Sequence, residues 1–401
     1  MPSDNNTSVA IAHDNAETNA TAPQDFRLGW LAWSHFLNDG AAFYLPGILP
    51  AVLTALHEPV RMVGVIMLAM YIGQTLQPVA GLWADKIGGK TLVVGGLLLA
   101  SLGAALVGLS PNVWVLMALL LASGLGSTLF HPQALAQVRS LTVKRHGMGM
   151  SLFLIGGELG RGIWPFISSI IVVRLGLPYL WLLALPTLLT LPLFYGQLPS
   201  LPQRPKGAKP AHLHFREHRR PFWVLVTYST LRALVVFGTL VFIPIMWRLR
   251  GGALVSGASI LTTLLITGII GQAAGGTLGD KLGRRHVLQA AAALLLVLTP
   301  LLPLTHGFLL WVLAAALGIP MFATFSPTLV IGQEIFSENR ALGAGIALGF
   351  SNGLGAIGLL PLGWVVQRFG IGTLFGILTA AAGLMLASSF LFSPKVHPSM
   401  N

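Results

Sequence analysis

Apolar positions run along this chain in long stretches, and polar positions are confined to short gaps between them. A bilayer core takes roughly 20 helical residues to cross. Stretches of that length predict membrane helices near 28–50, 61–83, 91–109, 112–136, 147–173 and 178–198. Six more follow near 222–246, 254–279, 286–304, 307–333, 342–367 and 371–392. The expected fold is an all-α membrane protein, twelve transmembrane helices in two six-helix pseudo-symmetric bundles. Residues 1–26 read as a disordered tail, 27–198 as the first bundle and 199–221 as a basic, Pro-rich linker. Residues 222–393 read as the second bundle and 394–401 as a second tail. Pro46, Pro132, Pro165 and Pro327 fall inside spans, which membrane helices tolerate when neighbours satisfy the freed backbone groups.

Composition narrows the function classes. The chain has 401 residues, 54% hydrophobic and 9% charged, against about 25% charged in soluble domains. So little polar surface excludes a soluble enzyme. The net charge is +12, from 24 Lys and Arg against 12 Asp and Glu. In a soluble chain that balance points to nucleic acid. Here basic loops orient helices in a membrane, so the expected partner is the lipid bilayer and not nucleic acid. With an even number of spans both tails share a side, together with the linker. Seventeen Lys and Arg fall there, against Arg61, Arg174, Arg248, Arg250 and Arg368 on the other. Both termini are therefore expected in the cytoplasm. Residues 1–26 hold no Lys or Arg, unlike the start of a signal peptide. There are no cysteines, which removes disulfides and Cys-based metal sites.

The two halves repeat at an offset of 195 residues. Gly73, Gln77, Gly81 and Asp85 match Gly268, Gln272, Gly276 and Asp280. Lys86, Gly88, Pro132 and Arg145 match Lys281, Gly283, Pro327 and Arg340. A repeated six-helix bundle is a signature of membrane transporters. Residues four apart share one helix face, and small residues there let helices approach closely. Each aspartate then emerges at a span's end beside a basic turn that includes Lys90 in one copy and Arg284 and Arg285 in the other. A carboxylate so placed can bond a helix N-terminus or an arginine. Such a clasp gates one side; the alternative is a turn that fixes the hairpin.

Gly81-x-x-x-Asp85-Lys86-x-Gly88-Gly89-Lys90 and Gly276-x-x-x-Asp280-Lys281-x-Gly283-Arg284-Arg285 resemble the loop motif of the major facilitator superfamily. Gly89 departs from the basic residue of that motif. The chain further resembles the fosmidomycin-resistance branch, drug exporters of the bacterial inner membrane. That likeness rests on Ser34-His35-Phe36-Leu37-Asn38-Asp39, Leu76-Gln77-Pro78-Val79, Phe130-His131-Pro132, Arg145-His146-Gly147, Gly156-Gly157 and Gln333-Glu334. It covers about residues 28–392. It implies a proton-driven exporter in the bacterial inner membrane, with alternating access between two halves. Glu158 and Arg161 depart from that branch, where these positions are uncharged, and leave the substrate open to an anionic or zwitterionic ligand.

Ionisable groups inside spans are costly and are functional candidates. Here they are His35, Asp39, His131, Glu158, Arg161 and Arg232. A carboxyl group in a poorly solvated cavity holds a proton more readily than one in water, which makes Asp39 the first candidate for proton coupling. His35 lies one turn away on the same face. The alternatives for Asp39 are a permanent pair with a backbone group or an arginine, or contact with substrate. Glu158 and Arg161, three apart, can pair within their helix, as a structural bridge or as a pair that substrate or proton opens. His131 can titrate near neutral pH or serve as a hydrogen-bonded structural group. Arg232 can attract a phosphonate or carboxylate, or pair with Asp39. Asn38, Tyr44 and Tyr71 join Arg161 and Arg232 as candidates for substrate contact, since a buried hydroxyl needs a partner.

No HExxH, Walker lysine loop or Cys-His cluster is present, so no enzyme activity, metal or cofactor is expected. The readings that follow are a proton-coupled exporter of a drug or toxic metabolite, or an uptake permease or facilitator for an organic anion or other metabolite. The partners are a small-molecule substrate and protons, and the chain is expected to work as a monomer.

Overall fold

A computed structural model describes residues 21–74, 76, 89–141, 146–198, 215–337 and 340–392. All the regular structure there is helical. In the first half, α1 (Thr21–Phe43) and α2 (Leu45–Ala55) form one broken span. Then come α3 (Val63–Gln74), α4 (Gly89–Ala105), α5 (Val113–Leu141), α6 (His146–Arg174) and α7 (Leu185–Gln197). The second half has α8 (Phe215–Leu249), α9 (Leu254–Leu278), α10 (Arg284–Leu298), α11 (Leu309–Ala323) and α12 (Phe325–Ile335). It ends with α13 (Arg340–Ala344), α14 (Ser351–Ile357), α15 (Leu359–Phe369) and α16 (Ile371–Ser389).

Helix α1 starts inside the stretch expected as tail, and α8 starts inside the stretch expected as linker. Glu217, Arg219 and Arg220 are strong helix formers and extend α8 beyond its apolar part. The prolines divide into two kinds. Pro46 and Pro327 stand in the first turn of α2 and α12, each just after a break; proline lacks an N–H and suits a first turn. Pro132 and Pro165 lie within the continuous helices α5 and α6.

Nine helices among the described residues are long and apolar enough to cross a bilayer. Three expected spans make up the difference from twelve. The second is described only through a shorter apolar helix, Val60–Gly73. The eighth and ninth run together as one 51-residue stretch, Leu254–Leu304, which bends where Gly283 adopts φ +91°, a conformation open to glycine. The fifth, α6, has 29 residues and carries Glu158 and Arg161 in its middle.

Small residues set the packing. In the first half α1 lies on α6, and α3 and α4 lie on α5. A methyl group on Gly156 or Gly160 would collide with the carbonyls of Ala32 or Phe36. These two glycines, four apart, let α1 and α6 touch along their backbones, the small-xxx-small geometry of membrane helices. The second half repeats the arrangement: α8 lies on α14, and α9 on α11, where Gly271 and Gly275 face the carbonyls of Ile319 and Ala323.

The halves meet along α6 against α9, α2 against α8 and α9, and α3 against α14 and α15. Around the start of α3 the seam is tight. Gly64 abuts the Leu359 backbone, Gly363 abuts Val60 and Arg61, and the Arg61 N–H donates to Gln367 Oε1 at 3.3 Å.

Candidate functional site

Five ionisable groups of the first half, His35, Asp39, His131, Glu158 and Arg161, collect within the bundle, from α1, α5 and α6. Asp39 is buried at its centre. Its Oδ2 accepts from Arg161 Nη2 at 2.8 Å. Its Oδ1 accepts from Asn38 Nδ2 at 3.1 Å and lies 3.4 Å from His35 Nε2 and 3.2 Å from His131 Nε2. Arg161 also donates from Nη1 to both Glu158 oxygens, at 3.1 and 3.3 Å. One guanidinium thus bridges two buried carboxylates. An arginine shared between two acids in this way, Nη2 on one and Nη1 forked over the other, lowers the cost of burying such charges. The Phe43 ring lies under the Arg161 guanidinium at 4.3 Å, a cation–π contact.

Helix geometry explains why these groups meet. His35 and Asp39 are one turn apart on α1, as are Ser127 and His131 on α5 and, at three residues, Glu158 and Arg161 on α6. Gly156, Gly157 and Gly160 bring α6 close enough for Arg161 to reach Asp39, and Gly157 sits against the His35 ring.

The imidazole tautomers follow from their partners. His35 Nδ1 is 2.7 Å from the Phe153 carbonyl and His131 Nδ1 is 2.9 Å from the Ser127 carbonyl. A carbonyl only accepts, so each Nδ1 carries the proton and donates. In the neutral rings each Nε2 is then a bare acceptor. The two Nε2 atoms face one another at 3.3 Å, with Asp39 Oδ1 completing a triangle. A proton on either Nε2 makes an imidazolium that donates to Asp39 Oδ1; with both rings neutral, three acceptors converge and a cation between them takes the proton's place. Asp39 and His35 are buried, and His131 is the open corner, with 21% of its side chain exposed.

Among the described residues the second half buries one charged side chain. Arg232 on α8 is fully buried. It donates from Nη1 to Thr328 Oγ1 at 3.3 Å and from Nη2 to Asn352 Oδ1 at 2.9 Å, and lies over the Phe325 ring at 4.1 Å. Its Nε has no partner. Among the described residues no carboxylate lies within ion-pair distance. The pairing of Arg232 with Asp39 is not what the structure shows; Arg161, nearer along the close contact of α1 and α6, takes that place.

The two tyrosines differ. Tyr44 donates to the Ala104 carbonyl at 2.6 Å and ties α4 to the break between α1 and α2. Tyr71, also buried, stacks on Phe237 across the halves at 4.4 Å, and its hydroxyl has no partner.

Of the loop motif, Gly81, Asp85, Lys86, Gly88 and Arg145 lie outside the described residues, as does the side chain of Arg340. Lys90 places its ammonium over the Tyr195 ring at 4.0 Å. In the second copy Gly276 lies in the last turn of α9, and Asp280, Lys281 and Gly283 form the bend. Asp280 is exposed and makes no ion pair among the described residues. The pair at this corner joins Arg284 to Glu334, so α10 is fastened to α12 there.

Sequence reasoning missed the partners that orient the charges: Ser127, Phe43, Thr328, Asn352 and the Phe153 carbonyl. The spacing of Ser127 and His131 was a usable signal; a backbone carbonyl supplied by a distant helix leaves none.

Comparison with known proteins places this architecture. A profile of the Major Facilitator Superfamily matches residues 31–358. The chain is 25% identical over 379 residues to the fosmidomycin resistance protein of Escherichia coli (strain K12), covering 91% of this chain and 92% of that one. It is 24% identical over 358 residues to the uncharacterized MFS-type transporter YfnC of Bacillus subtilis (strain 168), covering 84% and 85%. Among solved structures it is similar to an aspartate-to-alanine mutant of the nucleoside transporter NupG. The TM-score is 0.76 at 15% identity, over 92% of this chain and 100% of that one.

Proposed function

The chain belongs to the Major Facilitator Superfamily of membrane transporters, and we propose that it is a proton-coupled exporter of a drug or small toxic metabolite. One observation carries the reading: buried Asp39 is shared between Arg161 and two imidazoles. A proton delivered to Asp39 weakens its hold on Arg161 and leaves the guanidinium to Glu158. Glu158 and Arg161 stand on α6, the helix that packs against α9 of the opposite half, so a change of partner at Asp39 reaches the interface that must open and close. His131, the open corner, is the route by which protons reach Asp39, and His35 is buried behind it. Arg161, Asn38 and Tyr71 face substrate in this reading, and the aspartates of the two loop motifs gate the side that carries the chain ends. That side is the cytoplasm of a bacterium, and the transporter works as a monomer.

The test is drug susceptibility of an efflux-deficient bacterium expressing the chain, across a panel that includes fosmidomycin, with Asp39→Asn at equal membrane abundance. Resistance in the wild type that the variant loses is the expected result. Resistance that survives in Asp39→Asn would remove Asp39 from coupling.

A second reading, a permease or facilitator for an organic anion, is favoured by Arg232. A buried arginine without a carboxylate partner is costly, and an anionic group on the substrate offsets that cost. Proton movement on substrate addition separates the two: a coupled exporter moves protons against substrate, and a facilitator moves none.

A further inference from the structure

We propose that His35, Asp39 and His131 form a binding site for a divalent transition cation of the Zn²⁺ class. The argument goes beyond the transport reading and is independent of its direction. The three converging atoms, His35 Nε2, His131 Nε2 and Asp39 Oδ1, are 3.3, 3.4 and 3.2 Å apart. Zinc binds imidazole nitrogen and carboxylate oxygen at about 2.0–2.1 Å in tetrahedral sites. The edge of a tetrahedron with such bonds is about 3.3–3.4 Å. The three donors therefore already stand at the spacing that three corners of a zinc site require.

Protonation agrees with the geometry. Each Nδ1 is committed to a backbone carbonyl, which leaves each Nε2 lone pair free toward the centre. Metal-bound histidines are held in this way, the distal nitrogen donating to a carbonyl or carboxylate. Arg161 holds the other Asp39 oxygen at 2.8 Å and so turns Oδ1 toward the imidazoles. Asp39, Glu158 and Arg161 together carry one net negative charge, which a divalent ion reverses to one positive. Asn38 Oδ1, buried and without a partner, is a further oxygen beside the triangle. Two imidazoles and one carboxylate suit Zn²⁺, Co²⁺ or Ni²⁺ and not Mg²⁺ or Ca²⁺, which take oxygen ligands. The part-exposed side of His131 gives the ion its way in, and the fourth corner is left for water or a ligand.

The experiment uses the full chain in detergent, purified on a tag without histidine. Co²⁺ is added and the visible spectrum recorded, then Zn²⁺ is added in competition. The expected result is one equivalent of Co²⁺ with the intense visible bands of a four-coordinate ion, displaced by Zn²⁺ and unaffected by Mg²⁺. His131→Gln and Asp39→Asn each weaken binding at least 100-fold, while His306→Gln, at an exposed loop histidine, leaves it unchanged. A rise in the wild-type melting temperature with added Zn²⁺, absent in His131→Gln, reports the same site without relying on a folded Asp39 variant. Weak six-coordinate spectra, or equal Co²⁺ uptake by wild type and His131→Gln, would overturn the proposal.

Discussion

Replacing Arg161 with Met tests the electrostatics of the buried cluster. The guanidinium makes one hydrogen bond of 2.8 Å to Asp39 and two of 3.1 and 3.3 Å to Glu158. Met keeps much of the packing over Phe43 and removes the charge. Two carboxylates are then left in the bundle, Asp39 with Asn38 and the imidazoles, and Glu158 without the guanidinium it is bonded to. Breaking a buried pair by removing one partner costs about 3–5 kcal/mol. Asp39 keeps its bond to Asn38, so the lower end, about 3 kcal/mol, is expected. Glu158→Gln removes one charge-assisted interaction and leaves Arg161 on Asp39, at a cost of about 1.5–3 kcal/mol. The decisive comparison is the double variant. With Arg161 already replaced, neutralising Glu158 removes an unpaired acid, so Glu158→Gln raises stability in that background and lowers it in the wild type. Heating the detergent-solubilised protein while following the emission of its 10 tryptophans reads the effect without labels. An Arg161→Met protein as stable as wild type, or a double variant melting below Arg161→Met, would refute the pairing.

Other substitutions test packing and gating. Tyr44→Phe is expected to lose about 1 kcal/mol, the value of a typical buried hydrogen bond, while Tyr71→Phe, whose hydroxyl has no partner, leaves the melting temperature unchanged; equal losses would contradict the assignment. Gly160→Val drives a branched side chain into the Phe36 carbonyl and separates α1 from α6. It should cost at least about 1–3 kcal/mol and cut transport with it, and a stable, active variant would mean the helices are not in backbone contact. Asp85→Ala slows cycling without removing substrate binding, measured as turnover against equilibrium binding; unchanged turnover would end the gating role of that aspartate. Glu334→Gln leaves Arg284 unpaired and should weaken the tie of α10 to α12, seen as faster proteolysis at that corner than in wild type.

Length and apolarity made the spans legible, because the bilayer sets both. The charged members of the site were legible for the same reason: a charge in a span is expensive and stands out. What the sequence could not display was who pairs with whom. Asp39 and Arg161 are 122 positions apart; the sequence offered Arg232 as a partner for Asp39 and Glu158 for Arg161, and the contact of α1 with α6 is what brings Arg161 to the aspartate. Proline was misleading in a similar way. Pro132 and Pro327 occupy matching positions in the repeat, yet Pro132 continues α5 and Pro327 follows a break. Neighbours, not the residue, decide whether a freed carbonyl is satisfied. The metal-like triangle had no linear signature, since its histidines come from helices 96 positions apart.

The repeat preserves a scaffold and not a chemistry. In the first half Asp39 from α1, His131 from α5 and Arg161 from α6 meet at one place. In the second, the matching helices supply Arg232 from α8, Thr328 from α12 and Asn352 from α14. Both halves therefore gather polar side chains from their first, fourth and fifth spans, where small residues bring the first and fifth together. The first half balances its charges internally, apart from one remaining acid. The second half leaves a guanidinium with neutral partners only. A transporter whose two halves were electrostatically equivalent would have no reason to hold an anionic group on one side and a cation on the other. On the organic-anion reading this asymmetry divides the labour, the second half meeting the substrate's negative charge and the first half holding a cation at its triangle. Arg232→Gln separates that division from simple structural burial: it should weaken affinity for anionic substrates while leaving Co²⁺ binding at the His35, Asp39 and His131 triangle unchanged. Loss of both together would mean that the two clusters act as one structural unit.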